Sequence, residues 1–284
     1  MTDTMVRHTE AANSQVLHDM KRITDELAEQ VARHRRYVDN LQLPVSSQIP
    51  NQSIQSHLAP INPVTDAFYV ALEDNFRGSR DVIKVRQSSY LPILRSAPVE
   101  SHAVLDLGCG RGEWLSLLKE EGIDARGVDS NLACVSECIA QGLEVEHGDL
   151  IEHLRGLPDQ SCAAVTLFQV LEHLPFPVLL DVMRQVSRVL TNGGVLIAEV
   201  PNSENLSVAA STFWIDPTHQ RPLFPGLLRF LAIECGFVKT EGLYSTPLSP
   251  PPDLSGMDAS AREALARVYA ALYGDADFAL IAWA

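Results

Sequence analysis

The chain has 284 residues, of which 46% are hydrophobic and 20% are charged, and its formal net charge at pH 7 is −14. This length allows one large domain with an appendage, and the lack of about 18 consecutive apolar residues predicts that no segment spans a membrane. The acidic charge disfavours a general nucleic-acid-binding protein, which would need a basic surface, so we expect no nucleic-acid partner.

The five cysteines indicate the compartment. Their number is odd and their spacing is irregular, which disfavours a disulfide framework. Cys134 and Cys138 are four positions apart, but no second pair completes a zinc site, and we predict no metal ligands. Residues 1–8 lack the features of a secretory signal. We therefore expect a protein of the reducing cytoplasm.

The N-terminal region, residues 1–43, is predicted to contain an amphipathic helix. Apolar residues recur at helical spacing between 13 and 41, and charged residues fill the other faces. Because one helix cannot bury its own apolar stripe, we expect it to form a homodimer as a candidate coiled coil. Docking on a partner protein or on the chain's own domain are the alternatives. Residues 44–65 are rich in Pro, Gln, Ser and Asn and are predicted to be a flexible linker.

Residues 66–284 are predicted to form the main domain. It opens with a helix capped by Asp66 and a second helix from Asp81 to about Leu94. From residue 103 on, strands and helices alternate, which predicts a doubly wound α/β fold around a mainly parallel sheet. The predicted strands are 103–107, 124–129, 143–147, 162–169, 195–200, 237–243 and 277–283; the helices are 113–121, 131–141, 150–155, 175–190, 226–235 and 260–273; a turn is predicted at 192–194.

A glycine-rich turn follows the first strand, with glycines at 108, 110 and 112. A dinucleotide site has the spacing G-x-G-x-x-G, but here the third glycine comes one residue early, and Glu113 would repel a diphosphate. Asp106, at the end of the strand, suits a cationic ligand. S-adenosylmethionine carries a sulfonium and an ammonium and no phosphate. The stretch therefore resembles motif I of the class I S-adenosylmethionine-dependent methyltransferases.

The resemblance implies a Rossmann-like sheet of seven strands, with the last strand antiparallel to the sixth, and S-adenosylmethionine as cofactor. An acid about twenty residues beyond the glycines accepts the ribose hydroxyls of an adenosine, which assigns that role to Asp129. The remaining cofactor contacts are then predicted as follows: Asp106, Gly108, Gly110, Gly112 and Gln169 at the methionine part, Arg77 or Arg80 at its carboxylate, Ser130 beside the ribose, and Asp149 with the Leu150 amide at the adenine.

Two histidines are candidates for the base that removes the acceptor's proton. His173 follows the fourth strand and stands beside Glu172, although this pair could merely begin the next helix. His219 lies in the loop 211–223, where Asp216 is its candidate orienting partner. The aromatic and planar polar groups of this loop suit a sugar, so Trp214, Arg221 and Glu172 are predicted to contact the acceptor. The alternative is a loop held by an Asp216–Arg221 pair over a packed Trp214.

Three stretches extend the resemblance: Asp-Pro-Thr-His-x-Arg-Pro-Leu at 216–223, Arg-Gly-Glu-Trp-Leu at 111–115 and Phe-Arg-Gly-Ser-Arg at 76–80. They are similar to methyltransferases of bacterial surface-polysaccharide synthesis, in particular the methyltransferase module of O-antigen chain-terminating methyltransferase/kinases. No kinase signature follows, so we expect O-methylation of a sugar or glycan hydroxyl, with peripheral association with an assembly complex. The alternatives are a small-molecule methyltransferase of secondary metabolism or quinone synthesis, and an assembly protein with a vestigial cofactor site.

Overall fold

The computed structural model describes residues 71–72, 75–250 and 252–284. The predicted helix 13–41, the linker 44–65 and the Asp66 cap lie outside these residues. The chain divides into two compact units, Met1–His57 with Asp253–Leu265, and Leu58–Pro252 with Ala266–Ala284. In the first unit, the described part includes a turn in which Asp253 accepts a hydrogen bond from the Ser255 amide, followed by the start of a helix.

A seven-stranded sheet forms the centre of the second unit, as predicted. The strand order is β3-β2-β1-β4-β5-β7-β6, with β1 to β5 parallel and β7 antiparallel to both β5 and β6. The order reverses between β1 and β4, where open parallel sheets bind ligands beyond the carboxyl ends of their strands. The strands are β1 Val104–Leu107, β2 Ala125–Asp129, β3 Val145–His147, β4 Cys162–Phe168, β5 Leu190–Pro201, β6 Lys239–Pro247 and β7 Asp275–Trp283.

Six of the described helices agree with the predicted ones to within a few residues, whereas the helix at Leu206–Ala210 is not among the predicted ones. The described helices are α1 Arg80–Gln87, α2 Leu91–Leu94, α3 Glu113–Glu120, α4 Leu132–Ala140, α5 Leu150–Gly156, α6 Phe176–Val189, α7 Leu206–Ala210, α8 Pro225–Glu234 and α9 Ala259–Tyr273, with 3-10 turns at Ser88–Tyr90, Leu171–His173 and Thr212–Ile215. Among the described residues, no helix combines the length and the apolarity that crossing a bilayer requires.

Two predicted elements differ from the structure. The turn expected at 192–194 lies inside β5, because β4 pairs with β5 on both sides of it, Cys162 with Leu190 and Ala164 with Val195. The resulting irregularity contains Gly193 at a φ of +77°, so the glycine bends the strand without ending it. The single helix expected from 81 to 94 is divided into α1, a 3-10 turn and α2.

The core lies on both faces of the sheet, and β4, in its middle, is buried along all seven residues. Side chains alternate between the faces, as a strand requires. Leu105 and Val165 pack on the face covered by α5, α6 and α8, whereas Val104 and Ala164 pack on the face covered by α2 and α3. This burial fixes β1 and β4 rigidly and leaves their carboxyl ends to carry the site.

Candidate functional site

Two adjoining cavities open at the carboxyl ends of the strands. The first cavity, of about 440 Å³, is lined by the glycine turn after β1 and by the ends of β2 and β3. The second cavity, of about 380 Å³, is lined by α1, by the ends of β5 and β7 and by the loop 211–223. Arg77, Gln169 and His173 line both cavities, so these three residues mark the junction at which two bound molecules would meet.

The glycines of the turn have different roles. Gly108 and Gly110 line the first cavity. Gly108 has a φ of +70°, and a Cβ there would lie 2.6 Å from Cγ2 of Val170, so only glycine fits. Gly112 instead precedes α3, and a Cβ on it would meet Cys138 of α4 at 2.7 Å. The structure therefore brings the first two glycines to the cavity and uses the third for helix packing.

Asp106 lies beneath the first cavity and does not line it. Its side chain is 2% exposed, and the Thr166 hydroxyl donates a 2.6 Å hydrogen bond to Oδ1. Burial raises the pKa of this carboxyl to about 7, although the Thr166 bond and the charge of Arg77 lower it. Asp106 is therefore not placed to contact a ligand in this cavity directly.

Asp129, at the end of β2, holds the glycine turn in place and faces the first cavity. Its Oδ2 accepts a 2.7 Å hydrogen bond from the Gly110 amide and its Oδ1 a 2.7 Å bond from the Asn131 amide. Each carboxylate oxygen can accept more than one hydrogen bond, so hydroxyl donors can still bind there. Burial raises the pKa of Asp129. Ser130 follows it on the cavity wall.

Asp149 and Leu150, after β3, also line the first cavity. Oδ1 of Asp149 caps α5 by accepting hydrogen bonds from the amides of Ile151 and Glu152 at 2.9 and 3.0 Å. The Leu150 amide is the first donor of α5, and such an amide has no acceptor within its own helix. The end of β3 therefore offers a carboxylate beside an amide donor.

The two candidate arginines are placed differently. Arg77 lines both cavities. Burial raises the pKa of the surrounding carboxyls, and the positive charge of Arg77 partly offsets this rise; these carboxyls are Asp106, Asp129, Glu172, Glu199 and Asp277. Arg80 lines neither cavity. Its guanidinium donates to the Arg111 carbonyl at 2.9 Å and pairs with Glu137 at 2.6 Å, so it fastens the segment that carries Arg77 to the glycine turn.

Glu113 has a different environment from the one expected. It forms a 2.7 Å ion pair with Arg111, and both side chains are almost completely buried. Neither residue lines the first cavity, so Glu113 is not placed to repel a diphosphate there. A second contact of Arg111, a 3.3 Å hydrogen bond to the Gly78 carbonyl, ties the same upstream segment to the turn.

Two acids at the junction were missed by the sequence analysis. Gln169, at a φ of +59°, donates from Nε2 to Glu199 at 3.2 Å and to Asp277 at 3.1 Å. The Tyr90 hydroxyl donates to Glu199 at 2.5 Å. Desolvation raises the pKa of Glu199 to about 7 and also raises that of Asp277. A bulky residue in the left-handed region is strained, and such strain concentrates at functional sites.

His173 and His219 lie side by side, with ring centroids 4.6 Å apart, and both line the second cavity. The Thr218 hydroxyl donates to Asp216 at 2.6 Å, so it accepts the 2.8 Å bond from Nδ1 of His173. Nδ1 of His219 lies 2.6 Å from the Phe213 carbonyl, which can only accept. Nδ1 of both imidazoles therefore carries a hydrogen, and in the neutral form of such a ring the lone pair lies on Nε2. Asp216 thus orients His173 through Thr218, not His219 as predicted.

Glu172 does not reach the acceptor side as predicted. Its side chain is completely buried and lines neither cavity. Within the described ranges, neither carboxyl oxygen has a hydrogen-bond partner, and Nε2 of His219 lies 3.8 Å from Oε1. Burial raises the pKa of Glu172 to about 8.

Trp214 and Arg221 also lie away from both cavities. Trp214 is 56% exposed and donates to the Ala209 carbonyl at 3.0 Å, and Arg221 stacks on Phe176. Two phenylalanines, Phe76 and Phe213, line the second cavity instead, and the ring centroid of Phe213 lies 4.4 Å from that of His219. The loop is held by Gln220, which donates from its amide to the Glu172 carbonyl and from its side chain to the His173 carbonyl, at 2.9 and 2.7 Å.

Known proteins resemble this chain in sequence and in structure. Residues 88–198 match a family model described as "Methionine biosynthesis protein MetW". The crystal structure of a SAM dependent methyltransferase from Archaeoglobus fulgidus superposes with a TM-score of 0.69 at 30% identity, over 76% of this chain and 100% of that chain.

Two curated relatives match over shorter stretches. A "Probable S-adenosylmethionine-dependent methyltransferase" of Mycolicibacterium smegmatis is 34% identical over 47% of this chain and 51% of the relative. The "Ubiquinone biosynthesis O-methyltransferase" of Psychrobacter arcticus is 27% identical over 51% of this chain and 63% of the relative. The chain thus spans about half the length of the mycolicibacterial protein.

Proposed function

Because this chain belongs to the S-adenosylmethionine-dependent methyltransferases, we propose that it transfers a methyl group from S-adenosylmethionine to a hydroxyl group of a sugar or glycan. The observation that carries this proposal is the junction of the two cavities at Arg77, Gln169 and His173. A methyl donor in one cavity and an acceptor in the other would face each other there, and catalysis would come mainly from this alignment.

The first cavity fits the cofactor. Gly108 and Gly110 line this cavity, and Asp129 still has lone pairs for the ribose hydroxyls. Asp149 and the Leu150 amide flank the place for the adenine, and Arg77 flanks the place for the methionine carboxylate. The bound cofactor supplies a methyl group activated by its sulfonium.

The second cavity supports an O-methyl acceptor. His173 and His219 both line it, and a neutral imidazole that donates from Nδ1 can accept a hydroxyl proton at Nε2. Phe76 and Phe213 provide aromatic surface, and Arg86, Asp216 and Asp277 provide planar charged groups. This mixture suits the alternating apolar and hydroxyl-bearing faces of a sugar ring.

A second candidate is a small, apolar acceptor such as a quinone. Five aliphatic side chains line one part of the second cavity, namely Leu72, Ile83, Val208, Ile215 and Leu248. The relative named for ubiquinone biosynthesis supports the same candidate. The third candidate is an assembly protein with a vestigial cofactor site, which would differ from the other two by the absence of methyl transfer.

The test is calorimetric titration of the purified chain with S-adenosylmethionine and, separately, with NAD. Binding of the former alone supports the proposal and leads to a screen of nucleotide sugars, glycans and hydroxylated quinones, followed by mass spectrometry. Methylation of quinones alone would replace the sugar with the second candidate. Failure to bind S-adenosylmethionine would overturn the proposal as a whole.

A further inference from the structure

The convergence of Glu172, His173 and His219 has a use beyond proton transfer. One ligand atom from each residue lies within 4.8 Å of the other two. Glu172 and His173 come from the 3-10 turn after β4, and His219 comes from the loop 211–223. The loop is held over the turn by the two hydrogen bonds of Gln220, so the grouping is part of the fold.

The tautomers of both histidines suit a metal ion. Each ring donates its Nδ1 hydrogen to a neighbouring oxygen, Thr218 Oγ1 for His173 and the Phe213 carbonyl for His219. This is the outer contact that metal-binding histidines usually have, because it fixes the ring and leaves Nε2 as the ligand.

Glu172 provides the second, independent observation. Its carboxyl is completely buried, and neither oxygen has a hydrogen-bond partner in the described part of the chain. Nε2 of His219 lies 3.8 Å from Oε1, which is too long for a hydrogen bond. A buried polar group without a partner is costly, and a cation between these two atoms would satisfy both.

The spacing and the surrounding charge agree with a small divalent ion. With ligand bonds of about 2.0–2.2 Å, neighbouring ligand atoms of a tetrahedral zinc site are about 3.3–3.6 Å apart. The pair of His219 and Glu172 therefore needs to approach by only a few tenths of an ångström. The carboxyls of Glu199 and Asp277 lie near Glu172, and the positive charge of Arg77 acts on it as well.

We propose that Glu172, His173 and His219 bind a divalent transition-metal ion of the Zn²⁺ class. Two imidazole nitrogens and one carboxylate oxygen form a donor set typical of such ions, with at least one coordination position left for a ligand from outside. Both histidines line the second cavity, so that position faces the acceptor. The role of the ion as a ligand of the acceptor oxygen rests on the proposed function, but the binding of the ion does not.

The experiment measures binding of Zn²⁺ and Co²⁺ to the full chain by competition with a chromophoric chelator, and records the visible absorption of bound Co²⁺. Glu172→Gln and His219→Ala are compared with the wild type. Because the chain has nine histidines, His102→Ala, on an exposed residue, is the matched control. We expect both site variants to lose one equivalent of tightly bound Zn²⁺, while the control retains it. The affinity for Zn²⁺ should fall by more than the roughly 10- to 100-fold that loss of an outer contact causes.

Glutamine at position 172 has the shape of the protonated acid, so this variant should fold, which circular dichroism checks. Equal Zn²⁺ affinity and Co²⁺ absorption in the wild type and in both folded site variants would overturn the inference. S-adenosylmethionine binding is measured on the same samples. Cofactor binding without metal binding refutes the metal site and leaves the proposed function intact. Metal binding without methylation of any glycan supports the metal site and contradicts the proposed function.

Discussion

The backbone amide of Gly110 donates a 2.7 Å hydrogen bond to Oδ2 of Asp129, and this bond joins the glycine turn after β1 to the end of β2. One carboxylate therefore fixes the shape of the turn and also faces the cavity that we assign to the cofactor. Loss of the Asp129 side chain would therefore have two effects: the glycine turn would lose a hydrogen bond that fixes its conformation, and the cavity would lose a carboxylate.

We expect Asp129→Ala to weaken S-adenosylmethionine binding by about 10- to 100-fold, since hydrogen bonds to a charged group contribute about 1.5–3 kcal/mol. Calorimetry measures this. Asp124→Ala, on an exposed residue just before β2, should leave the affinity unchanged. Wild-type affinity in Asp129→Ala would remove Asp129 from the cofactor site.

Gly108→Ala should destabilise the fold by about 1–3 kcal/mol, because its Cβ would lie 2.6 Å from Val170 at a φ of +70°. Urea unfolding measures the change in the free energy of unfolding. Gly156→Ala, where a Cβ meets open space at the end of α5, is the control and should be neutral or slightly stabilising. Equal free energies of unfolding for both variants would show that an alanine fits at position 108 without strain.

Arg77→Ala should weaken cofactor binding, because its guanidinium lines both cavities, whereas Arg80→Ala should act mainly on stability. Arg80 fastens the upstream segment to the Arg111 carbonyl and does not reach the cavity. Titration with the cofactor at a temperature where both variants are folded separates the two effects. A larger loss of affinity in Arg80→Ala would reverse the assignment.

His219→Ala should lower turnover by about 10²- to 10⁴-fold, the range for groups that act on a transferred proton, while cofactor affinity stays unchanged. Trp214→Ala should retain turnover, because this side chain is exposed and lies outside the second cavity. Steady-state kinetics on the acceptor found in the screen measures both. Loss of activity in Trp214→Ala, with full activity in His219→Ala, would indicate that Trp214 contacts the acceptor after all.

The Asp106 carboxyl should make stability depend on pH. Burial raises its pKa in the folded chain from an ordinary 3.8 to about 7, so between these values the folded state holds more protons than the unfolded state. The stabilising contribution of the protonated carboxyl is complete below about pH 3.8 and is lost as the pH rises through 7. The free energy of unfolding should therefore fall by up to about 1.4 kcal/mol per pH unit in this window.

Asp106→Asn removes that dependence, because asparagine has the shape of the protonated acid and can still accept from Thr166. Urea unfolding of the wild type and Asp106→Asn from pH 5 to pH 8 gives the difference between their free energies of unfolding. The contributions of the other titrating groups cancel in this difference. Asp124→Asn, on an exposed residue, should follow the wild type. Parallel curves for the wild type and Asp106→Asn would show that Asp106 has an ordinary pKa.

From the amino-acid sequence alone we could predict the strands, most of the helices and the glycine turn, because these follow from short-range patterns: apolar runs bounded by turn residues, caps such as Asn131, and glycines where φ is positive. The sequence also placed Asp129, Asp149 and Leu150 at one edge, since parallel strands end on the same side of the sheet. These features needed no knowledge of distant pairing.

The junction of the two cavities and the acids around it follow from long-range packing instead. Glu199 and Asp277 meet because β7 inserts antiparallel between β5 and β6, a register that no local pattern contains. The loop 211–223 folds with Phe213 buried and Trp214 exposed. In this conformation Asp216 contacts His173 through Thr218, whereas the sequence predicted a contact with His219. The Glu172 side chain is buried. Side-chain direction in an irregular loop depends on packing against elements some 50 residues away, and composition does not encode it.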